Sequence, residues 1–180
     1  YADMNMPDNW TITGHQEVKN WVRRHFFYVV KFDKPYTVKE VLPAREGEKA
    51  KRMILEFDLE PGESVQIKVA LSTVGIEGAQ SALLTESLDW DFEAVKKESQ
   101  DLWRELLSKV SVSGTKEQKT NFYTSLYHLY IQPNDIADID GKYRGVNDSV
   151  FVSKSGTYYS TFSLWDTYRA AHPLYTILIP

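Results

Sequence analysis

Apolar and polar residues alternate along much of the first half of the chain. Residues 24–32 are rich in aromatic and β-branched side chains, a turn signal follows at 33–35, and the alternation resumes over 36–42. The next alternating stretches predict a hairpin around a turn at 60–63. Its apolar face comprises Met53, Leu55, Phe57 and Leu59 before the turn and Val65, Ile67, Val69 and Leu71 after it. Short antiparallel strands without intervening helices predict a β-sandwich rather than a parallel α/β sheet.

The apolar period changes from 2 to 3.6 after about residue 85. Asp89 or Asp91 is placed to cap a helix, and the inner positions of that helix are Phe92, Val95, Ser99, Leu102 and Leu106. Thr115 and Gln118 have the spacing of a capping box and open a second helix, which we expect to end near residue 131. A third helix is predicted to begin near Ser163 and to bend or restart at 172–173.

The second predicted helix is apolar or aromatic on two faces. One face carries Phe122, Leu126 and Leu129, and the other carries Tyr123, Tyr127 and Tyr130. Such a helix is packed on two sides, as in a layered helical barrel. Residues 132–157, rich in Asp, Gly and Ser, are expected to form a loop. The apolar end at 178–180 leads us to expect further polypeptide that covers it.

Composition excludes several classes of function. The net charge of −4 and pI of about 5.6 argue against a nucleic-acid partner, which a basic surface would normally bind. With no cysteine, the chain forms no disulfide and no thiolate metal site. No apolar run approaches the ~18 residues of a membrane span, and the first residues have no signal-peptide pattern.

The last third of the chain carries the residue types that bind sugars. An indole stacks on a pyranose ring, a carboxylate accepts hydrogen bonds from hydroxyls, and a guanidinium donates them. Trp165, Asp166 and Arg169 supply one of each, and on a helix they would lie close enough to border one pocket. Spacing alone favours simpler roles, with Trp165 in a core and Asp166 as a carboxylate at a helix N-terminus.

Other motifs indicate little chemistry. Asp138, Asp140 and Gly141 match the start of a calcium loop, but the remaining ligands are missing, so a tight Asp-Gly turn is the preferred interpretation. A carboxylate cluster formed with Asp135 is the alternative. The four histidines have no i, i+4 pair for zinc, and neither a serine-nucleophile elbow nor a phosphate-binding glycine loop is present.

Three ordered motifs resemble glycoside hydrolase family 92, the calcium-dependent exo-acting α-mannosidases. They span residues 122–128, 138–145 and 159–173, and the strand at 27–35 resembles the amino-terminal domain of that family. The resemblance implies an α+β multidomain fragment. Its parts are an antiparallel β-sandwich at 1–86, a helical linker at 87–113, and the first helices of a truncated (α/α)6 barrel at 114–180.

The resemblance also implies an inverting mechanism. A glutamic acid protonates the leaving oxygen and an aspartate activates water, the two carboxyl groups being about 6.5–9.5 Å apart. Both catalytic residues and the Ca2+ ligands are expected beyond Pro180, so residues 1–180 alone should be inactive. By motif match, Trp165 and Asp166 bind the terminal mannose and Arg169 orients Asp166 or the sugar.

Arg144 and Tyr143 are further substrate-binding candidates by motif match. The implied partners are a mannose-containing glycan with terminal, α-1,2-linked mannose and the remainder of the polypeptide itself, and the implied location is extracytoplasmic, periplasmic or secreted. Two alternatives stay open. One is a non-catalytic carbohydrate-binding module that presents Trp10, Trp21 or strand aromatics. The other is a structural domain with no sugar affinity.

Overall fold

A computed structural model describes residues 1–20, 22–43, 45, 52–86, 89–160 and 163–179. Two compact units are present, the first formed by Tyr1–Trp90 with Ile136–Tyr158, the second by Asp91–Asp135 with Tyr159–Pro180. The segment Ile136–Tyr158 belongs to the first unit, although it lies within the range predicted for the barrel. The assignment of the three domains stays a prediction.

Strands and helices follow the order of an α+β protein. The strands of the described residues are β1 (Ala2–Asn5), β2 (Thr11–Lys19), β3 (Arg23–Phe32), β4 (Tyr36–Leu42), β5 (Arg52–Phe57), β6 (Ile67–Ser72), β7 (Asn134–Asp135), β8 (Lys142–Arg144), β9 (Val150–Val152) and β10 (Tyr159–Ser160). The helices are α1 (Ile76–Glu86), α2 (Phe92–Leu107), α3 (Lys116–Tyr130), α4 (Leu164–Thr167) and α5 (Ala171–Leu178). The described part of the chain contains no helix that is long and apolar enough to cross a bilayer.

Two antiparallel sheets of the first unit share a core. One has the strand order β1-β2-β3-β6, and the other pairs β4 with β5. Phe32 at the end of β3 meets Tyr36 and Phe57 of the second sheet, with ring centroids 5.4 and 5.3 Å apart. The strands at 23–32 and 36–42 are therefore confirmed, and the turn between them carries the chain from one sheet to the other.

Helix α1 covers the opposite face of the four-stranded sheet. Val29 and Ala70 from the sheet pack against Ala79 and Leu83 of the helix, and all four are buried. This helix was not predicted, because small residues and Gly78 give its sequence little of the 3.6-residue apolar period.

The predicted hairpin around residues 60–63 is wrong in its pairing. The turn forms, since the Glu63 amide donates to the Glu60 carbonyl at 3.0 Å. However, β5 pairs with β4 and β6 pairs with β3, so the flanking strands belong to different sheets.

The predicted apolar face of β6 lies on the same side of the four-stranded sheet as Phe32, because Ile67, Val69 and Leu71 pair with Phe32, Val30 and Tyr28 of β3. Because α1 packs on the side of Ala70, strand alternation sends the larger apolar side chains to the other face. That face carries Ile67, Val69 and Leu71, which are 58, 62 and 61% exposed.

The helices of the second unit confirm the capping predictions. The Asp91 carboxylate accepts from the Ala94 amide at 2.9 Å and caps α2. Thr115 and Gln118 cap α3 with a reciprocal capping box. Helix α4 begins after Ser163, and the helical path restarts as α5 with Pro173 in its first turn, where a proline is tolerated.

The region predicted as a loop, 132–157, contains paired strands. β7 pairs with β10, and β8 pairs with β9 to form a hairpin. The tight turn at Asp140-Gly141 is confirmed, since Gly141 has a φ of +79° and its amide donates to the Asp138 carbonyl at 2.7 Å. A positive φ of this kind favours glycine.

Candidate functional site

Trp165 lies on the single helical turn α4, which follows Ser163. The Thr167 hydroxyl donates to the Ser163 carbonyl at 2.9 Å and holds this turn together. The indole of Trp165 is 86% exposed. Among the described residues, Trp165 is therefore not part of a core, and its role in sugar binding stays a prediction.

Asp166 and Arg169 are exposed on the same segment. The Asp166 amide donates to the Ser163 carbonyl at 3.2 Å. The Arg169 Nε donates to the Tyr168 hydroxyl at 2.7 Å, and the guanidinium lies 5.4 Å from the centre of the Tyr168 ring. Arg169 is thus oriented by Tyr168, and the role predicted for it beside Asp166 stays a prediction.

Arg144 is held by four hydrogen bonds within the first unit. Its guanidinium donates to the carbonyls of Thr73 at 2.7 Å, Val74 at 3.1 Å and Asp148 at 2.9 Å, and to the Asp148 carboxylate at 3.2 Å. The first two carbonyls follow β6, about 70 residues earlier in the chain. Arg144 therefore fastens strand β8 to the four-stranded sheet.

Tyr143 belongs to an aromatic cluster on the same hairpin. Its ring stacks on Tyr158 with centroids 3.7 Å apart and an interplanar angle of 10°, and Phe151 lies 5.8 Å away. A Cβ at Gly145 would lie 2.8 Å from the Phe151 ring, so a larger residue there would displace that ring. The cluster fixes Tyr143 with one ring face covered.

Asp138 is a buried carboxylate of the first unit. It accepts from the Ser72 hydroxyl at 2.7 Å, and the same hydroxyl accepts from the amides of Val74 and Gly75. Burial raises the pKa of the Asp138 carboxyl above its usual range, against the lowering effect of the Ser72 hydrogen bond. Asp138 therefore joins the turn before β8 to the start of α1.

The carboxylates near this turn do not form a metal site. Asp140 pairs with Lys142 at 2.5 Å and lies at the surface. Across the described ranges, no group of three or more histidine, cysteine or carboxylate side chains is placed to hold a metal ion. These residues do not fit the calcium ion that the family resemblance implies.

The candidates fall into the two units. Tyr143 and Arg144 share one hairpin of the first unit, whereas Trp165, Asp166 and Arg169 share one segment of the second. Each group is brought together by local sequence. Of the aromatics in the binding-module alternative, Trp10 is 40% exposed and Trp21 lies outside the described residues.

Comparison with known proteins assigns the family. The sequence profile of the Glycosyl hydrolase family 92 catalytic domain matches residues 78–180, which is more than half of the chain. The chain belongs to this family. The match confirms the resemblance of the three motifs, and it includes Tyr143, Arg144 and the segment with Trp165. Among curated proteins, none matches the chain.

Solved structures of the GH92 family share the fold. A family GH92 α-mannosidase from Bacteroides thetaiotaomicron matches with a TM-score of 0.81 and 29% identity, over 97% of this chain and 26% of that chain. The structure of its complex with mannoimidazole matches with a TM-score of 0.80 and 30% identity, over 97% of this chain and 25% of that chain. A GH92 inverting mannosidase of the same organism matches in fold with a TM-score of 0.82 at 23% identity, over 97% of this chain and 26% of that chain. The GH92 chain described here thus spans about a quarter of the length of these enzymes.

One cluster of ionisable residues was missed from the sequence. His15, His25 and Asp148 lie together in the first unit. Helical i, i+4 spacing does not reveal this pair, because the two histidines are neighbours across strands β2 and β3. The strand alternation at 11–19 and 23–32 would have placed both on one face.

Proposed function

We propose that this chain is part of an inverting, calcium-dependent exo-α-mannosidase that removes terminal mannose, α-1,2-linked, from mannose-rich glycans. The observation that carries the proposal is the family match over 78–180, supported by similarity at 29 and 30% identity to an α-mannosidase structure. In this proposal the first unit is part of a β-sandwich and the second contains a linker helix and the opening of an (α/α)6 barrel. The enzyme acts outside the cytoplasm.

We assign Trp165 and Asp166 to the subsite for the terminal mannose. The exposed indole offers a flat apolar surface to the C–H face of the sugar, and the Asp166 carboxylate accepts hydrogen bonds from hydroxyls. Arg169 supplies donors beside them. Because these side chains follow one another on a short segment, their spacing suits one wall of a monosaccharide pocket.

We also assign Arg144 and Tyr143 of the first unit to substrate binding. Their contacts within the hairpin support a preorganised position, since the Arg144 guanidinium is fixed by three carbonyls and a carboxylate. A binding group that is already ordered loses less conformational entropy when a ligand arrives.

The catalytic acid, the catalytic base and the calcium ligands belong to other parts of the polypeptide in this account. An inverting glycosidase needs two carboxyl groups on opposite sides of the scissile bond, about 6.5–9.5 Å apart. We expect residues 1–180 alone to release no mannose, and turnover by this segment at the rate of the complete enzyme would contradict the proposal.

The test is the kinetics of the complete enzyme on an α-mannoside. A hydrogen bond to a charged group contributes about 1.5–3 kcal/mol, so Asp166→Ala should lower kcat/KM by about 10- to 150-fold. Asp101→Ala is the matched control, because it removes an exposed carboxylate of helix α2. Equal kcat/KM for Asp166→Ala and the control would contradict the assignment.

Binding separates this proposal from the carbohydrate-binding module. Isothermal titration of the complete protein with mannose should show affinity that is lost in Asp166→Ala and retained in Trp10→Ala. The opposite pattern would favour a module in which the first unit holds the sugar.

A further inference from the structure

The segment that carries Trp165 and Asp166 is anchored to the end of helix α3. Helix α5, which follows this segment, places Tyr175 beside the last turn of α3. The Tyr175 hydroxyl lies 2.7 Å from the Leu129 carbonyl and 2.8 Å from the Gln132 carbonyl. A phenol has one O–H proton, so this single donor is shared between the two carbonyls.

The end of α3 needs a donor from elsewhere in the chain. In an α-helix a carbonyl accepts from the amide four residues later. The residue four positions after Leu129 is Pro133, which has no N–H. Burial raises the pKa of the Tyr175 hydroxyl above its usual range, so this group keeps its proton and remains a donor at neutral pH. Tyr175 therefore supplies a hydrogen bond that the helix itself lacks.

The other end of the segment is held close to the same place. Strand β10 pairs with β7, with Tyr159 opposite Asp135 and Ser160 opposite Asn134. Strand β7 in turn follows closely on the end of α3. Both anchors of the segment therefore lie within residues 129–135.

Hydrogen-bonded turns join the anchored helix α5 to the single turn α4. The Tyr168 amide donates to the Leu164 carbonyl at 3.1 Å and closes α4. The Leu174 amide donates to the Ala170 carbonyl at 3.0 Å and opens α5. Because only Arg169 lies between these two turns, a shift of α5 also moves α4 and the side chains on it.

We propose that Tyr175 is a positioning residue for the mannose subsite. Its hydroxyl holds α5 on the end of α3 and thereby fixes the position of Asp166 and Trp165. The inference rests on the proposed function, which assigns these two side chains to the sugar. Tyr175 does not contact the sugar and acts only through the segment. Such positioning matters for turnover, since a displacement of about 1 Å can lower the rate on the order of 100-fold.

A double-mutant cycle in the complete enzyme tests the proposal. Tyr175→Phe keeps the ring and removes the hydroxyl, and it should lower kcat/KM for an aryl α-mannoside about tenfold. In an Asp166→Ala background the factor should be at least ~3-fold smaller, because the main side chain through which Tyr175 acts is gone. A loss of folded enzyme would instead lower kcat/KM by the same factor in both backgrounds. Equal factors would therefore overturn the proposal.

Tyr130→Phe is the matched control. The Tyr130 hydroxyl also belongs to the end of α3, and among the described residues it is buried without a hydrogen-bond partner. Its removal breaks no hydrogen bond, so kcat/KM should change by less than about twofold. A loss as large as that in Tyr175→Phe would show that the hydrogen bond is not the cause and would overturn the proposal.

Hydrogen–deuterium exchange provides a readout that does not depend on activity. In Tyr175→Phe, a peptide that covers α4 and α5 should exchange about tenfold faster than in the unsubstituted enzyme, because loss of the hydrogen bond favours local opening. Peptides from α2 are the internal control and should be unchanged. Equal exchange of α4 and α5 in the two proteins would overturn the proposal.

The outcomes also separate this inference from the proposed function. If Asp166→Ala alone leaves kcat/KM unchanged, the assignment of Asp166 to the sugar fails, and the role of Tyr175 fails with it. If Asp166→Ala lowers kcat/KM but Tyr175→Phe does not, only the positioning role is overturned.

Discussion

Gly78 is the position where one added methyl group tests the packing of the first unit most sharply. It lies in the first turn of α1, where the Asp138 carboxylate and the Ser72 hydroxyl approach the helix backbone. A Cβ built at Gly78 would overlap the Asp138 Oδ2 and lie 2.8 Å from the Ser72 Oγ. Glycine is therefore required by the close approach of a side chain, at a point where helix propensity alone favours alanine.

The expected loss of stability for Gly78→Ala combines three effects. Alanine stabilises a helix by about 1 kcal/mol relative to glycine. Against this gain, overpacking costs about 1–3 kcal/mol. Moving Asp138 also breaks a hydrogen bond to a buried carboxylate, which costs about 1.5–3 kcal/mol. We expect the local free energy of unfolding to fall by about 1.5–5 kcal/mol.

The assay is hydrogen exchange at the amides of α1, which reports the local unfolding free energy. Gln80→Ala, at an exposed position of the same helix, is the control and should change it by less than about 0.5 kcal/mol. In an Asp138→Ala background the clash with the carboxylate is gone and only the contact with the Ser72 Oγ is left, so Gly78→Ala should cost at least ~1 kcal/mol less than in the unsubstituted protein. An equal cost in both backgrounds, or a gain in stability from Gly78→Ala alone, would refute the reasoning.

Three further predictions concern single side chains. Burial raises the pKa of Asp138, so ionisation of its carboxyl group lowers stability as the pH rises. Asp138→Asn should remove that pH dependence and retain full stability at pH 7. Urea unfolding at several pH values measures both. The hydrogen bond from Arg23 lowers the pKa of Glu17 to about 2, so this ion pair stabilises the fold at neutral pH and the stabilisation is lost as the pH falls from 4.5 to 2. Glu17→Gln should remove that stabilisation, as acid unfolding would show. Thr115→Ala should destabilise α3 by about 0.5–2 kcal/mol through loss of the capping box, whereas Thr120→Ala within the helix should not, as hydrogen exchange of α3 would show.

The helices with explicit caps were predictable from the sequence. Asp91 and the pair Thr115 and Gln118 mark the starts of α2 and α3 with side chains that bond to backbone amides within three residues, so the signal is local. Helix α1 has no such signal. Its Gly78 serves a contact with Asp138, 60 positions later, and no local pattern reveals that contact.

The pairing of strands was predicted less well than their existence. Alternation over 67–72 correctly indicated a strand, but alternation does not show which neighbour will pair with it or which face helix α1 will cover. The same limit applies to Arg144. Its sequence neighbourhood suggested a ligand-binding residue, whereas its contacts with Thr73 and Val74 depend on a part of the chain that is distant in sequence.

The direct test of the central claim is a crystal structure of the complete enzyme with a mannose-configured inhibitor such as mannoimidazole. The account predicts the Trp165 ring in contact with the sugar, at about 4–4.5 Å between heavy atoms. It also predicts an Asp166 carboxylate oxygen at about 2.5–3.0 Å from a sugar hydroxyl. A sugar bound elsewhere, with both side chains beyond contact distance, would contradict the account.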